Sequence, residues 1–142
     1  MHSKIIKRHL KPIVGKPCWG VWLGYGSYLA LNFGKPSLDV RNPKKLENTS
    51  SRIKKIFARR HVSVWGEWTI SFECCDWLVY HGAKYIGGTQ SKKSMLKGIR
   101  EIDGQTIESV EVFLKERVCV FRFDIGGLLK IKIGRASCRE RV

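Results

Sequence analysis

Residues 62–80 read VSVWGEWTISFECCDWLVY, and this stretch dominates the fold that the sequence predicts. From position 64 to position 74, the even-numbered positions hold apolar residues or glycine, and most odd-numbered positions hold polar residues. A period of two is typical of a strand with one face on a core and the other in water. We therefore expect one extended segment whose inward side chains are Trp68, Ile70 and Phe72.

The alternation breaks near the end of this stretch. Cys74 continues the apolar positions, whereas Trp77 and Val79 fall on the opposite ones. A bulge or turn near Cys75 and Asp76 would shift the phase and return Trp77 to the core.

Turn signals elsewhere predict further hairpins. Gly24 and Gly26 separate two apolar runs, at 17–23 and 27–34, and a Gly-Gly pair at 126–127 separates two later runs. Short glycine-containing loops between apolar runs are typical of β-hairpins. We therefore expect most neighbouring strands to pair in antiparallel fashion.

One segment has helical periodicity instead. Ser91 suits an N-cap, and Gly104 suits the position after a helix end. Gly98, inside the segment, would allow close packing on a sheet. The apolar stripe of this helix, near 91–103, consists of Met95, Leu96, Ile99 and Ile102.

Together these elements predict an α+β domain. Its sheet is expected to be mainly antiparallel, hairpin-built and curled, with about six or seven strands and one packed helix. A chain of 142 residues that is 43% apolar has material for one such domain. We expect residues 1–14 to form a loosely held basic N-terminal arm and residues 15–131 to form the domain, with a basic insert at 35–61.

The last ten residues, 133–142, show neither periodicity nor turn signals. They resemble the translation of a common short-read sequencing adapter, and Lys132 fits the same frame through its last two bases. We therefore expect residues 132–142 to be a non-native tail. A natural basic tail is the alternative. Residues 133–142 carry a net charge of +2, so the formal net charge of +15 becomes +13 without them.

A strongly basic chain favours acidic partners such as nucleic acid or anionic surfaces. The positive charge is concentrated in the insert at 35–61, where nine Lys or Arg residues stand against Asp39 and Glu47. Pro36 and Pro43 interrupt this insert, and residues 52–57 suit a short basic helix. We expect the insert to be a surface excursion between two hairpins.

The positions of the cysteines and the lengths of the apolar runs indicate the cellular compartment. Outside the tail, the cysteines lie in apolar strand-like runs, where a thiol acts as a small buried hydrophobe. These are Cys18, Cys74, Cys75 and Cys119. Neither a signal peptide nor a run of about 18 apolar residues is recognisable, so we expect a cytoplasmic protein without a membrane span.

Metal and cofactor chemistry find little support in the sequence. Cys74 and Cys75 on one strand would point to opposite faces and could not chelate one ion. His61 and His81 suit solvated loop positions, and the glycine pairs lack the residues of a phosphate-binding loop. No metal and no cofactor are therefore expected.

A cysteine enzyme is one alternative, and a nucleic-acid-binding module is another. Cys75, with Asp76 and His81 nearby in sequence, would form the catalytic site of the first. The second would use cations to hold phosphates and exposed aromatic rings to stack bases. Its expected contact residues are Arg52, Lys54, Lys55, Arg59, Arg60, Tyr25, Tyr28 and Trp65.

Six short phrases rich in glycine, tryptophan and aspartate run along the chain. They are Pro17-Cys18-Trp19-Gly20, Leu31-Asn32-Phe33-Gly34-Lys35-Pro36, Gly66-Glu67-Trp68, Asp76-Trp77, Asp103-Gly104-Gln105 and Phe123-Asp124-Ile125-Gly126-Gly127. Together, from Gly15 to Ile131, they resemble a small bacterial domain family of unknown function. The resemblance implies a stand-alone protein of this length, in some cases from gene neighbourhoods like toxin–immunity cassettes. It carries over no catalytic residue, and the basic insert is longer than is usual there.

These observations favour a non-enzymatic binding protein. A well-patterned core without a convergent polar cluster suits an immunity or accessory factor that covers the surface of a protein partner. The nucleic-acid-binding module and the enzyme with a Cys75/His81 site remain the two alternatives.

Overall fold

The computed structural model describes residues 2–133, and within this range the chain forms ten strands and three helices. The strands are β1 (Cys18–Leu23), β2 (Leu29–Phe33), β3 (Ser37–Arg41), β4 (His61–Trp65), β5 (Trp68–Phe72), β6 (Asp76–His81), β7 (Lys84–Gly88), β8 (Ile107–Phe113), β9 (Val118–Phe123) and β10 (Gly127–Lys132). The helices are α1 (His2–Leu10), α2 (Ser51–Phe57) and α3 (Lys92–Ile102), and a short 3-10 turn at Lys11–Ile13 follows α1.

The predicted α+β class with antiparallel pairing is confirmed, but the arrangement of the strands is not the predicted one. Instead of one curled sheet of six or seven strands, the ten strands of the described range form three sheets. Their orders are β1-β2-β5, β7-β6-β10-β9-β8 and β3-β4. The sequence indicates several of these strands but not β3 or β7, and pairings such as β2 with β5 join residues some forty positions apart and have no local signal.

The three-stranded and five-stranded sheets share one core. The buried side chains of β2 contact those of β9 and β10 in a single cluster, and the ring of Phe72 meets that of Phe121 edge-on, at 5.7 Å between centroids. Trp77, fully buried, links the two sheets because its indole N–H donates to the carbonyl of Ser27 at 3.0 Å. The core therefore lies between these two sheets, and the β3-β4 pair lies outside it.

The predicted helix is confirmed as α3. The Ser91 hydroxyl accepts a hydrogen bond from the Ser94 amide, and Gly104 adopts a φ of +87° just after the helix. Gly98 faces the sheet, where an added Cβ would lie 3.0 Å from the Trp77 ring. The absence of a side chain there lets α3 pack closely over β6 and β7.

The 62–80 stretch is not one extended segment. It contributes β4, β5 and the first five residues of β6, and these three strands belong to three different sheets. One break comes at Gly66, whose backbone lies against that of Phe33, and the other at Cys74, with a φ of +55°. The second break lies where a bulge or turn was predicted, and Trp77 is buried as expected.

The expected inward face of that stretch is only partly buried. Ile70 and Phe72 are half-buried against the core, but Trp68 is 39% exposed at the edge of its sheet. The ammonium of Lys16 lies over the Trp68 ring, 5.2 Å from its centroid, which shields one face of the indole. Val64 and Cys74, also expected inside, are exposed.

Residues at both ends of the described range contact the rest of the domain. Where a loosely held arm is predicted, α1 packs against β8, because Ile6 and Leu10 are four residues apart and turn one helix face inward. Of the expected non-native tail, Lys132 belongs to β10, and the Ile133 amide donates to the Arg117 carbonyl at 2.9 Å. The rest of that tail lies outside the described residues.

Candidate functional site

The basic insert folds into a projecting structure that we call the basic ribbon (residues 37–65). Its strands β3 and β4 pair only with each other, from Ser37 opposite Trp65 at the base to Arg41 opposite His61 at the far end. Helix α2 and its flanking loops close the far end. None of its residues is buried, so the expected surface excursion is present, although it is built from paired strands.

A buried asparagine anchors the base of the basic ribbon. The carboxamide oxygen of Asn32, a residue 1% exposed, accepts hydrogen bonds from the Gly66 amide at 3.1 Å and the Thr69 hydroxyl at 2.8 Å. Its amide nitrogen donates to the Gly20 carbonyl at 3.1 Å. Across the base, the Lys35 amide donates to a carboxylate oxygen of Glu67 at 2.7 Å. These bonds fix the point at which the ribbon leaves the domain.

One face of the basic ribbon is apolar and open to solvent. Leu38 stands opposite Val64, and Val40 stands opposite Val62, so the four side chains share a face. Their exposed fractions are 68%, 49%, 48% and 51% respectively. Apolar side chains grouped in this way on a surface are typical of a binding site.

The far end of the basic ribbon is held by contacts of Phe57, the last residue of α2. The Phe57 carbonyl accepts from the Lys44 amide at 2.7 Å, and the Arg41 guanidinium lies 4.8 Å from the Phe57 ring centroid. Two further aliphatic side chains of α2, Ile53 and Ile56, are 40% and 50% exposed. The end therefore presents apolar groups among its cations.

Lysine side chains line a recess at the far end of the basic ribbon. It lies between the 43–47 loop and α2, has a volume of about 570 Å³, and is lined by Lys44, Lys45 and Lys54 together with Glu47. The ion pairs formed within the described residues are His81 with Glu101 and Arg122 with Glu111, so no ribbon cation takes part in one. The lysines of this recess therefore keep their charge available for an acidic group.

The structure separates the predicted contact residues into two groups. The cations are grouped at the far end, on α2 and directly after it, namely Arg52, Lys54, Lys55, Arg59 and Arg60. Trp65 lies at the base, four residues from the start of β4, which corresponds to about 13 Å along a strand. A single stacking platform surrounded by these cations is therefore not formed.

Two of the three predicted aromatic residues, Tyr28 and Trp65, pack against a further ring, that of Trp22. The ring of Trp22 lies 5.1 Å from that of Tyr28 and 6.0 Å from that of Trp65, centroid to centroid. Both Tyr28 and Trp65 are half-buried by this cluster, whereas Tyr25, in the β1–β2 turn, is fully exposed.

Sequence reasoning missed the apolar face of the basic ribbon. A signal was present, because Leu38 and Val40, like Val62 and Val64, alternate with polar residues on either side of the charged segment. The register that places the two pairs opposite one another is a tertiary property.

The geometry does not support a catalytic pair of Cys75 and His81. The two residues bracket β6, which runs from Asp76 to His81, so they lie at opposite ends of the strand, about 20 Å apart. The Cys75 thiol lies 3.2 Å from the Glu73 carbonyl, and the His81 imidazole is hydrogen-bonded to Glu101 at 2.5 Å. Across the described part of the chain, no cluster of three or more metal-ligating side chains is found.

The other cysteines divide between the core and the surface. Burial raises the pKa of Cys18 to about 12 and that of Cys119 to about 11, as expected for thiols that act as core residues. Cys74, by contrast, is exposed, and the expectation of burial is wrong there because the chain turns at this residue.

No helix in residues 2–133 has both the length and the apolar character that a membrane crossing requires. No family model matches the chain, and no curated protein and no solved structure matches it either.

Proposed function

We propose that this chain is a non-enzymatic binding protein that uses the basic ribbon to cover an acidic surface of a partner protein. The observation that carries the proposal is the exposed apolar face of β3 and β4 in a ribbon with eight lysine and arginine side chains. Apolar contact supplies affinity at the centre of a protein interface, and surrounding charges guide association and fix orientation.

The aliphatic character of that face favours protein over nucleic acid. Single-stranded nucleic acid is held by stacking on aromatic rings, and leucine and valine have no such ring. The aromatic rings near the ribbon, Tyr28 and Trp65, are engaged with Trp22 at the base. A protein surface with apolar residues rimmed by Asp and Glu would complement both the face and the lysine recess.

We also propose what kind of binding protein this is. A protein that acts by covering a partner needs a stable core and a projecting contact surface, and it needs no catalytic group. This description suits an immunity or accessory factor acting in the cytoplasm, and the partner to test first is the product of a reading frame adjacent to the gene.

The test compares two variants in which exposed aliphatic residues are replaced by glutamate. Val40→Glu with Val62→Glu alters the ribbon face, and Ile125→Glu, at a 64% exposed turn position, is the matched control. By calorimetric titration with the partner, we expect about a 100-fold loss of affinity for the ribbon variant and none for the control. Equal affinity of the ribbon variant and the wild type would contradict the proposal.

Nucleic acid is the second candidate, because the lysine recess and a two-stranded ribbon also suit a phosphate backbone or a DNA groove. The same variants are titrated with single-stranded RNA and duplex DNA at several salt concentrations. Tight binding by the wild type that weakens steeply with salt would replace the first proposal with this one, and the two added carboxylates of the Val40→Glu, Val62→Glu variant should weaken it because they repel phosphates.

A further inference from the structure

The five-stranded sheet has a second face that the core does not use. Helix α3 packs over Trp77 and Val79 on the inner face. On the outer face, register places Leu128 opposite Arg122 and Lys130 opposite Val120 on the central strands β10 and β9. This surface belongs to a different sheet from the basic ribbon, so an inference about it does not depend on the proposed function.

This outer face has a shallow, open concavity. A groove with a volume of about 550 Å³ crosses it, with Tyr80 near one end and Phe113 near the other. Val120, although on the outer face, is only 7% exposed at the floor of the groove. The volume falls within the range of about 300–1,000 Å³ that is typical of small-molecule sites.

Two cations face this apolar groove from adjacent strands. Lys130 and Arg122 are diagonal neighbours across the β9–β10 pair, a separation of about 7–8 Å in such sheets. Arg122 donates through Nε to Glu111 at 3.2 Å, and its terminal amino groups form no hydrogen bond with any described residue. Lys130 is half-buried in the groove and forms no ion pair within residues 2–133.

A half-buried ammonium has lost part of its hydration, so a charge-assisted hydrogen bond to a bound anion is favourable. The remaining charge of the lining, the carboxylate of Glu116, forms no ion pair with either cation. Glu116, and Glu111 through its ion pair with Arg122, both offset positive charge here, so a ligand with a second negative charge is disfavoured. The groove residues therefore favour a ligand with one anionic group attached to an apolar portion.

We infer that the outer groove of the five-stranded sheet binds a small monocarboxylate with an aliphatic or aromatic body. Its carboxylate lies between Lys130 and the terminal amino groups of Arg122. Its apolar part lies over Leu128 and Val120, toward Tyr80 or Phe113.

The probe is octanoate, with octanol as its uncharged counterpart, titrated into the isotopically labelled protein and followed by amide chemical shifts. A ligand with about ten non-hydrogen atoms is expected to bind with a dissociation constant of about 1 mM. The shifts are expected in β9 and β10, and octanol is expected to bind about 10-fold more weakly.

Two lysine substitutions on the same strand and the same face complete the test. Lys130→Gln removes the groove cation, and Lys132→Gln, outside the groove lining, is the matched control. We expect octanoate binding to weaken about 10-fold for the first variant and to be unchanged for the second. The inference is overturned if octanoate shows no saturable shifts, if octanol binds equally well, or if both variants lose affinity alike.

Discussion

Single buried residues determine how the parts of this domain meet. The amide of Asn32 joins β1, the chain leaving the basic ribbon, and β5 through three hydrogen bonds. An apolar residue of similar size would leave the Gly66 amide without its partner, at a cost of about 1–3 kcal/mol. Its place on a strand with Leu31 and Phe33 gives no hint of this role, because the partners come from distant segments.

The buried thiol of Cys18 predicts how the stability of the protein depends on pH. Burial raises the pKa of its thiol from 9.0 to about 12, and the thiol donates to the Ile102 carbonyl at 3.0 Å. Above pH 9 the unfolded chain releases this proton while the folded protein retains it. The stabilising contribution is therefore complete below pH 9 and is lost as the pH rises toward 12, with a slope of up to about 1.4 kcal/mol per pH unit.

The measurement is the free energy of unfolding in urea between pH 8 and pH 11, under reducing conditions. Cys18→Ala is the comparison, because it loses packing at every pH but lacks the titrating group. We expect a shallower alkaline decline in the variant than in the wild type. Parallel curves would show that the thiol ionises equally in both states.

At the scale of elements, the contact between α3 and β7 depends on two glycines. A Cβ added to Gly87 would collide with the backbone carbonyl of Ser94, and one added to Gly98 would lie 3.0 Å from the Trp77 ring. Backbone atoms cannot move aside without displacing the helix, whereas a ring edge can shift slightly. The two positions should therefore differ in their tolerance of a methyl group.

We expect Gly87→Ala to lower the free energy of unfolding by about 3 kcal/mol or more and Gly98→Ala by about 1 kcal/mol. Gly104→Ala is the control for backbone strain, because its φ is +87° but no atom lies within 4 Å of the added Cβ. It should cost about 1 kcal/mol. Chemical denaturation of the three variants provides the measurement, and a smaller loss for Gly87→Ala than for Gly98→Ala would contradict this view of the contact.

At the scale of the whole molecule, the stable core and the basic ribbon are separate parts. Every residue of the core cluster lies outside 37–65. Because stability comes mainly from buried apolar surface, the ribbon contributes little to it and is free to serve as a contact surface.

Excision of the ribbon tests this separation. Ser37 and Trp65 are opposite one another, so an Asn-Gly turn can replace residues 38–64. We expect the shortened protein to unfold cooperatively, with a free energy of unfolding within about 1 kcal/mol of the full chain. Calorimetry or urea titration would show this. A loss of more than about 3 kcal/mol would mean that the ribbon supports the core.

The cations of the candidate site were predictable from the sequence, but its apolar face was not, because that face depends on contacts between distant segments. The cations of 52–60 are visible in the composition, because charge excludes them from a core. The apolar face requires the pairing of Leu38 with Val64 and of Val40 with Val62, across an intervening segment of more than twenty residues. The outer groove depends on the β9–β10 hairpin together with the distant β6, so residue type alone did not indicate it.

The features with local causes could be read directly from the amino-acid sequence. Ser91 and Gly104 bound α3, and the glycine turns produce the β1–β2 and β9–β10 hairpins, because capping and turn geometry act within a few residues. The division of residues 62–80 among three sheets, in contrast, depends on long-range contacts. Period-two alternation shows that a strand has two faces, but the strand that pairs with it is chosen by distant residues through packing and hydrogen bonding.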